Sequence, residues 1–157
     1  MKKYLIVFLI SMVPLIELRG AVPYAVGVGL PVAPSCLVAV IGNMIPVPFI
    51  FLFAQRVLEW GQDKKLIGGF CRFCLQKGRK GGAKLQEKAG RGLYVALLLF
   101  VGIPLPGTGA WTGTLAASLL NMDFKKSMTA VLCGVLLAGT IMLAASLGVF
   151  GAVSLIK

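Results

Sequence analysis

Glu17 and Arg19 are the residues of this chain best placed to do chemistry, because they are the charged groups of a long apolar stretch. They lie within the segment Pro14-Leu-Ile-Glu-Leu-Arg-Gly-Ala-Val-Pro23. A charge at the centre of a membrane helix costs about 2.5–3.5 kcal/mol on insertion scales, and such residues usually mark a substrate or ion pathway. The planar Arg fork suits a phosphate or carboxylate, and the Glu could carry a proton. The alternative is an ion pair that only anchors the fold.

A second apolar stretch is interrupted by Gly102-Ile-Pro-Leu-Pro-Gly-Thr-Gly-Ala-Trp-Thr-Gly113. We expect Gly107, Thr108 and Gly109 to leave backbone N–H groups open to a ligand. A half-helix that begins at Gly109 would add the positive end of its dipole. Trp111 would either stack on the ligand or anchor the segment. Together with the first charged segment, these residues form the predicted substrate site.

Helices broken at corresponding places in two halves of a chain point to a transporter's binding site. We therefore predict an all-α integral membrane fold in which a re-entrant helical hairpin and a transmembrane helix occur twice, as an inverted repeat. The first repeat covers residues 4–54, a basic cytoplasmic loop residues 55–92, and the second repeat residues 93–151, within one transmembrane domain, 1–157. The alternative for the first hairpin is a single tilted helix through residues 4–30.

The predicted hairpin tips lie where proline and glycine disfavour a continuous helix. Pro14, Gly20 and Pro23 flank the first pair of charges. We expect helix breaks near residues 18–22 and 106–110, with the two tips close together. An extended backbone at the first tip would place side chains two apart on the same side, so both charges could face one cavity. The half-helix after the first tip would begin at Pro23.

Two further segments, residues 33–54 and 127–150, are long and apolar enough to span a bilayer. The first contains Gly42, Asn43 and Pro46, which predict a kink. Asn43 could contact the substrate, cap the hairpin tips or make a structural hydrogen bond within the membrane. The second span is rich in Gly and Ala, which suits close helix packing.

The positive charge of the chain is concentrated in one loop. The whole chain has a net charge of +11, and residues 55–92 hold ten Lys or Arg against three acids, which is +7. Basic residues collect in loops kept in the cytoplasm. This explains the loop without a nucleic-acid partner, and it allows contact with lipid head groups. Residues 121–126 would lie on the same side, and both termini on the other.

The composition leaves few candidates for enzyme or metal chemistry. Hydrophobic residues make up 58% of the chain, there is no His, and only five residues are acidic. Cys71 and Cys74 form a C-x-x-C, but a zinc site needs four ligands and a redox motif needs a thioredoxin-like context. We therefore expect reduced thiols, no catalytic residues, no metal and no cofactor.

Three segments of the chain resemble a known family. They are Pro14 to Pro23, Ile41-Gly-Asn-Met-Ile-Pro46 and Phe100 to Gly113, and they look like the small multidrug export protein family. That family is distantly similar to the DedA (VTT-domain) superfamily, which implies paired re-entrant hairpins in inverted orientation. Some DedA-like proteins are implicated in returning undecaprenyl phosphate across the bacterial membrane.

The resemblance maps the acid and the Arg of the first DedA-like hairpin onto Glu17 and Arg19. The usual second Arg of that pattern is replaced here by Thr108. On this basis we expect a transporter of an anionic lipid-linked phosphate, with possible proton coupling through Glu17. The alternatives are a proton-coupled exporter of small drugs and a membrane assembly factor without transport. A homodimer in the cytoplasmic membrane of a bacterium or archaeon is also expected.

Overall fold

A computed structural model describes residues 1–14, 16–64, 68–69, 72, 76, 92–105 and 107–155, and every regular element among them is helical. The rest of the basic loop, including Cys71 and Cys74, lies outside the described residues, as do Leu15 and Pro106. Seven helices are bounded in the described part. They are α1 (Lys2–Met12), α2 (Glu17–Gly27), α3 (Val32–Met44), α4 (Pro46–Gly61), α5 (Gly92–Gly102), α6 (Ala110–Leu119) and α7 (Phe124–Leu155).

Two helical segments are long and apolar enough to cross a membrane. Val32–Ala54 and Phe124–Val149 contain 23 and 26 residues, each with a mean hydropathy of 2.3. In the most apolar 18-residue stretch of each segment, only 22% and 39%, respectively, is buried within the protein. The core helix of a soluble protein would be mostly buried, so these exposed apolar faces fit a lipid environment.

The first of these segments bends at Ile45, as predicted. Helix α3 ends at Met44 and α4 begins at Pro46, in the first helical position, where a missing N–H costs nothing. Helix α4 continues to Gly61, so Arg56 to Trp60 continue this helix beyond the end of the candidate span at Ala54. The final helix begins at Phe124, three residues before the predicted start of the span.

The prediction for the first break was wrong in position. Residues 18–22 lie inside α2, which even contains Pro23, and the chain bends earlier, at Val13 and Pro14. Val13 has an extended backbone (φ −74°, ψ 128°), the conformation favoured before proline. Packing of the α2 core residues against neighbouring helices overrides the low helix propensity of Gly and Pro. The second break lies between Gly102 and Ala110, as predicted.

Helices α2 and α6 end in the same way. In each, an N–H just past the helix donates to a carbonyl five residues earlier, at 3.0 Å, across a residue with left-handed backbone. The residues concerned are Ala25, Gly29 and Leu30 in one case and Ala117, Asn121 and Met122 in the other. Corresponding residues are 92 positions apart, and so are the starts of α3 and α7.

The contacts between helices follow the same order in both halves. Helix α1 packs on α2 and α3, and α5 packs on α6 and α7. The second helix of each half, α2 or α6, also packs against a helix of the other half: α2 packs against α7, and α6 packs against α4. This exchange brings the second break of the chain against the start of α2.

Close approach of α5 and α7 depends on Gly134. A Cβ at this position would lie 2.7 Å from the Leu98 carbonyl oxygen and 2.7 Å from Val101 Cβ. We expect Gly134→Ala to lower the free energy of unfolding by about 1–3 kcal/mol, because backbone cannot move aside as a flexible side chain can. Thermal unfolding in detergent measures this. The control is Gly148→Ala in the same helix, where a Cβ meets nothing within 4 Å; equal losses in both would contradict the prediction.

Candidate functional site

The Glu17 carboxylate is held by the N-terminus of α6. Its Oε2 accepts the Ala110 N–H at 3.1 Å, and its Oε1 accepts the Trp111 N–H at 3.0 Å. The first N–H groups of a helix lack partners within it and carry the positive end of the dipole, so a buried carboxylate is stabilised there. Glu17 is only 4% exposed. The N-terminus of this half-helix was predicted to assist a ligand, but in the structure its first N–H groups bind the chain's own carboxylate.

Glu17 adopts an uncommon backbone conformation at the start of α2. Its φ is +50°, in the left-handed region that non-glycine residues rarely occupy. Such conformations cost about 1–3 kcal/mol and persist where the surroundings impose them. The cap on α6 is an interaction that can offset this cost.

Gly109 is the residue that lets the carboxylate approach α6. It has φ +137°, and a Cβ there would lie 2.9 Å from the Glu17 carboxyl carbon and closer still to Oε2. Gly107 also has a positive φ, +81°, but a Cβ there would meet nothing within 4 Å. The two glycines therefore act differently: Gly109 provides space and conformation, whereas Gly107 provides conformation only.

The Arg19 guanidinium binds the other side of the same break. Its Nη2 donates to Thr108 Oγ1 at 2.6 Å and to the Ile103 carbonyl at 3.4 Å, and its Nη1 donates to the Leu105 carbonyl. The Thr108 hydroxyl in turn lies 2.9 Å from both carbonyls. Carbonyls that follow the end of α5 thus receive a cation, as helix C-termini favour.

The two charged side chains are arranged in neither of the ways considered from the sequence, a shared cavity or a mutual ion pair. Within the described residues, Glu17 and Arg19 hydrogen-bond to the second break and not to each other. They lie in the first turn of a helix and not in an extended segment. Since helical residues two apart do not face each other, one side chain reaches the start of α6 and the other the end of α5.

A cavity of about 680 Å³ opens beside this contact. Small-molecule sites commonly measure about 300–1,000 Å³ and are mostly apolar with a few polar groups, and this cavity fits that description. Its walls come from the first break, from one face of α4 and from α6. The lining residues are Pro14, Glu17, Ile50, Phe53, Ala54, Val57, Leu58, Thr108, Trp111, Thr112, Leu115 and Leu119.

The remaining predicted site residues divide between the cavity and the core. Trp111 lines the cavity, and its buried Nε1 has no hydrogen-bond partner within the described chain. Thr108 also lines it. Asn43 is buried in α3 and only 2% exposed. Its Oδ1 has no hydrogen-bond partner in the part of the chain that the structure describes, and Asn43 is not among the cavity-lining residues.

Sequence reasoning missed the α4 wall of the cavity. Ile50, Phe53, Ala54, Val57 and Leu58 are spaced as one face of a helix, so the sequence could have grouped them. Such spacing does not reveal which element the face is turned toward. The wall carries no charge and no glycine that would mark it as part of a site.

Two apolar spans and a drug-sized cavity beside a buried carboxylate define an all-helical membrane protein with a candidate small-molecule site. A family model described as "Putative small multi-drug export protein" matches residues 17–141. The chain belongs to this family, and the resemblance read from its three motifs is confirmed. No curated protein and no solved structure matches the chain. None of these three comparisons shows the further similarity to the DedA superfamily.

Proposed function

We propose that the protein exports small apolar cations, which bind in the cavity beside Glu17. The observation that carries this proposal is the cavity itself, with apolar and aromatic walls and a carboxylate at its edge. Each carboxylate oxygen accepts one backbone N–H and has a further lone pair for a ligand. Phe53 and Trp111 offer aromatic faces, which attract cations.

The contacts of Arg19 favour a cation over the anionic lipid phosphate expected from sequence. A phosphate site uses the guanidinium fork, and here both terminal nitrogens donate to the break between α5 and α6. The helix N-terminus that would assist an anion already holds Glu17. Within the described residues, the two groups best suited to a phosphate, the guanidinium fork and the N-terminus of α6, are therefore already engaged by the chain itself.

The position of Glu17 beside the cavity supports proton coupling through this residue. A protonated carboxyl carries no charge to attract a cation, and one of its oxygens becomes a donor, which weakens its cap on α6. A proton and a cationic substrate would therefore compete for one group. Such competition is what exchange of substrate for protons requires.

We also infer that the two halves form an inverted repeat of re-entrant hairpins. The 92-residue correspondence of helix ends and the exchange of packing between the halves support this. Phe51 packs edge-on against Phe124 with centroids 5.3 Å apart, so the end of the first span and the start of the second lie together. Both would face the cytoplasm with the basic loop, in the membrane of a bacterium or archaeon. The homodimer remains a prediction.

The proposed function is tested by ethidium efflux from proteoliposomes under an imposed pH gradient. Leu115→Trp places an indole in the cavity and narrows it without altering the Glu17 cap, and we expect transport to fall well below the wild-type rate. The control is Leu99→Trp, since Leu99 is similarly exposed (44%, against 41% for Leu115) but lies outside the cavity. We expect Leu99→Trp to transport like the wild type.

Three outcomes would count against the proposal or a part of it. Equal transport by both tryptophan variants would show that the cavity is not the route. Absence of efflux from wild-type vesicles, with normal thermal stability, would favour the assembly-factor alternative. Efflux that ignores the pH gradient would remove proton coupling and leave the cavity as a passive path.

A further inference from the structure

A second cavity, which we term the α5–α7 groove, lies between the first turns of α5 and the start of α7. It measures about 330 Å³. Its lining residues are Tyr94, Val95, Leu98, Lys126, Thr129, Ala130 and Cys133. Helix α7 contributes every third or fourth residue, so the groove runs along one face of that helix. Phe124 begins the second candidate span, so the mouth of the groove lies at the membrane boundary.

The mouth of the groove is polar and its inner end is apolar. Lys126 Nζ lies 5.8 Å from the centre of the Tyr94 ring, a cation–π contact. The Tyr94 hydroxyl accepts the Asp123 N–H at 3.4 Å. Leu98 and Cys133 line the other end, and Cys133 is two helical turns, about 10 Å, deeper than Lys126.

The charge at this mouth is positive. Lys125 and Lys126 are both exposed. Among the described residues, the carboxylate next to them in the chain is that of Asp123, which accepts the Lys126 backbone N–H at 2.9 Å and so caps α7. The N-terminus of α7 adds the positive end of a long helix. The groove therefore has the opposite charge to the Glu17 cavity and disfavours a cationic substrate.

We propose that the α5–α7 groove binds an anionic phospholipid. Its phosphate lies at Lys126 and Tyr94, and the first part of an acyl chain lies along Leu98 and Cys133. Tyrosine at the headgroup level, a lysine at the boundary and an apolar channel below them match the three parts of such a lipid. This site does not depend on the proposed export function.

The affinity of purified protein for phosphatidylglycerol and phosphatidylcholine, measured by native mass spectrometry, tests the proposal. We expect tighter binding of phosphatidylglycerol, and we expect Lys126→Ala to weaken it about five-fold, the contribution of one basic residue near an anionic surface. Lys125→Ala is the matched control, because it removes the same charge one residue away from the groove. We expect a smaller loss for it. Equal losses, or equal affinity of the wild type for both lipids, would overturn the proposal.

A second measurement keeps both lysines in place. In a chain with Cys36, Cys71 and Cys74 replaced by Ala, Cys133 is the remaining thiol. Its side chain is exposed in the groove, so N-ethylmaleimide should label it in detergent. We expect added phosphatidylglycerol to slow labelling more than phosphatidylcholine does. Equal protection by both lipids would show that detergent or any acyl chain fills the groove, and the proposed selectivity would be wrong.

Discussion

Joint replacement of Glu17 by Leu and Arg19 by Met should destabilise the protein more than either single replacement. If the two charges formed an ion pair, removing both would restore stability, since well-packed apolar residues often replace a buried pair without loss. Here each side chain has its own partners in the second break. The double variant leaves the Ala110 and Trp111 N–H groups without their partner, at about 1–3 kcal/mol for a buried group. It also removes the guanidinium from Thr108 and from the two carbonyls after α5.

The free energy of unfolding in mixed micelles measures this effect for the two single variants and the double variant. Arg19→Lys is the control for charge, and we expect an intermediate loss, because one ammonium cannot reproduce the fork that reaches Thr108 and two carbonyls. Recovery of wild-type stability in the double variant would contradict the observed contacts and restore the ion-pair interpretation.

Gly109→Ala should be among the most damaging single changes in the chain. The new Cβ would overlap the Glu17 carboxylate, and the backbone at φ +137° is accessible almost only to glycine. Strain of about 1–3 kcal/mol then adds to the loss of the α6 cap, about 1 kcal/mol. The midpoint of thermal unfolding and the rate of ethidium efflux should both fall, since Glu17 must leave its position beside the cavity.

Gly107→Ala provides the matched control for this prediction. Its φ is also positive, but there is open space around its Cβ position, so we expect only the strain of a left-handed residue, about 1–2 kcal/mol. In a Glu17→Ala background, the cost of Gly109→Ala should fall, because the overlapping carboxylate is gone. An unchanged cost in that background would mean that backbone strain alone makes Gly109 necessary.

The sequence alone determined the main features of this protein. Apolar stretches of bilayer length predicted membrane helices, and Pro46 predicted the bend between α3 and α4. Proline and glycine predicted that the helices of two further apolar stretches, residues 4–30 and 93–120, are broken. The three motifs indicated the family. These properties depend on composition and on backbone restrictions at single residues, which act locally.

Tertiary structure decided the position of the first break and the partners of the charges. Pro23 and Gly20 remain in α2 because packing with other helices stabilises that helix, so Pro14 alone marks the bend. Glu17 and Arg19 meet groups more than eighty residues away, and no local pattern specifies such contacts. The cavity wall supplied by α4 has the same origin, since an apolar face of a membrane helix can meet lipid, another helix or a cavity, and the fold decides which.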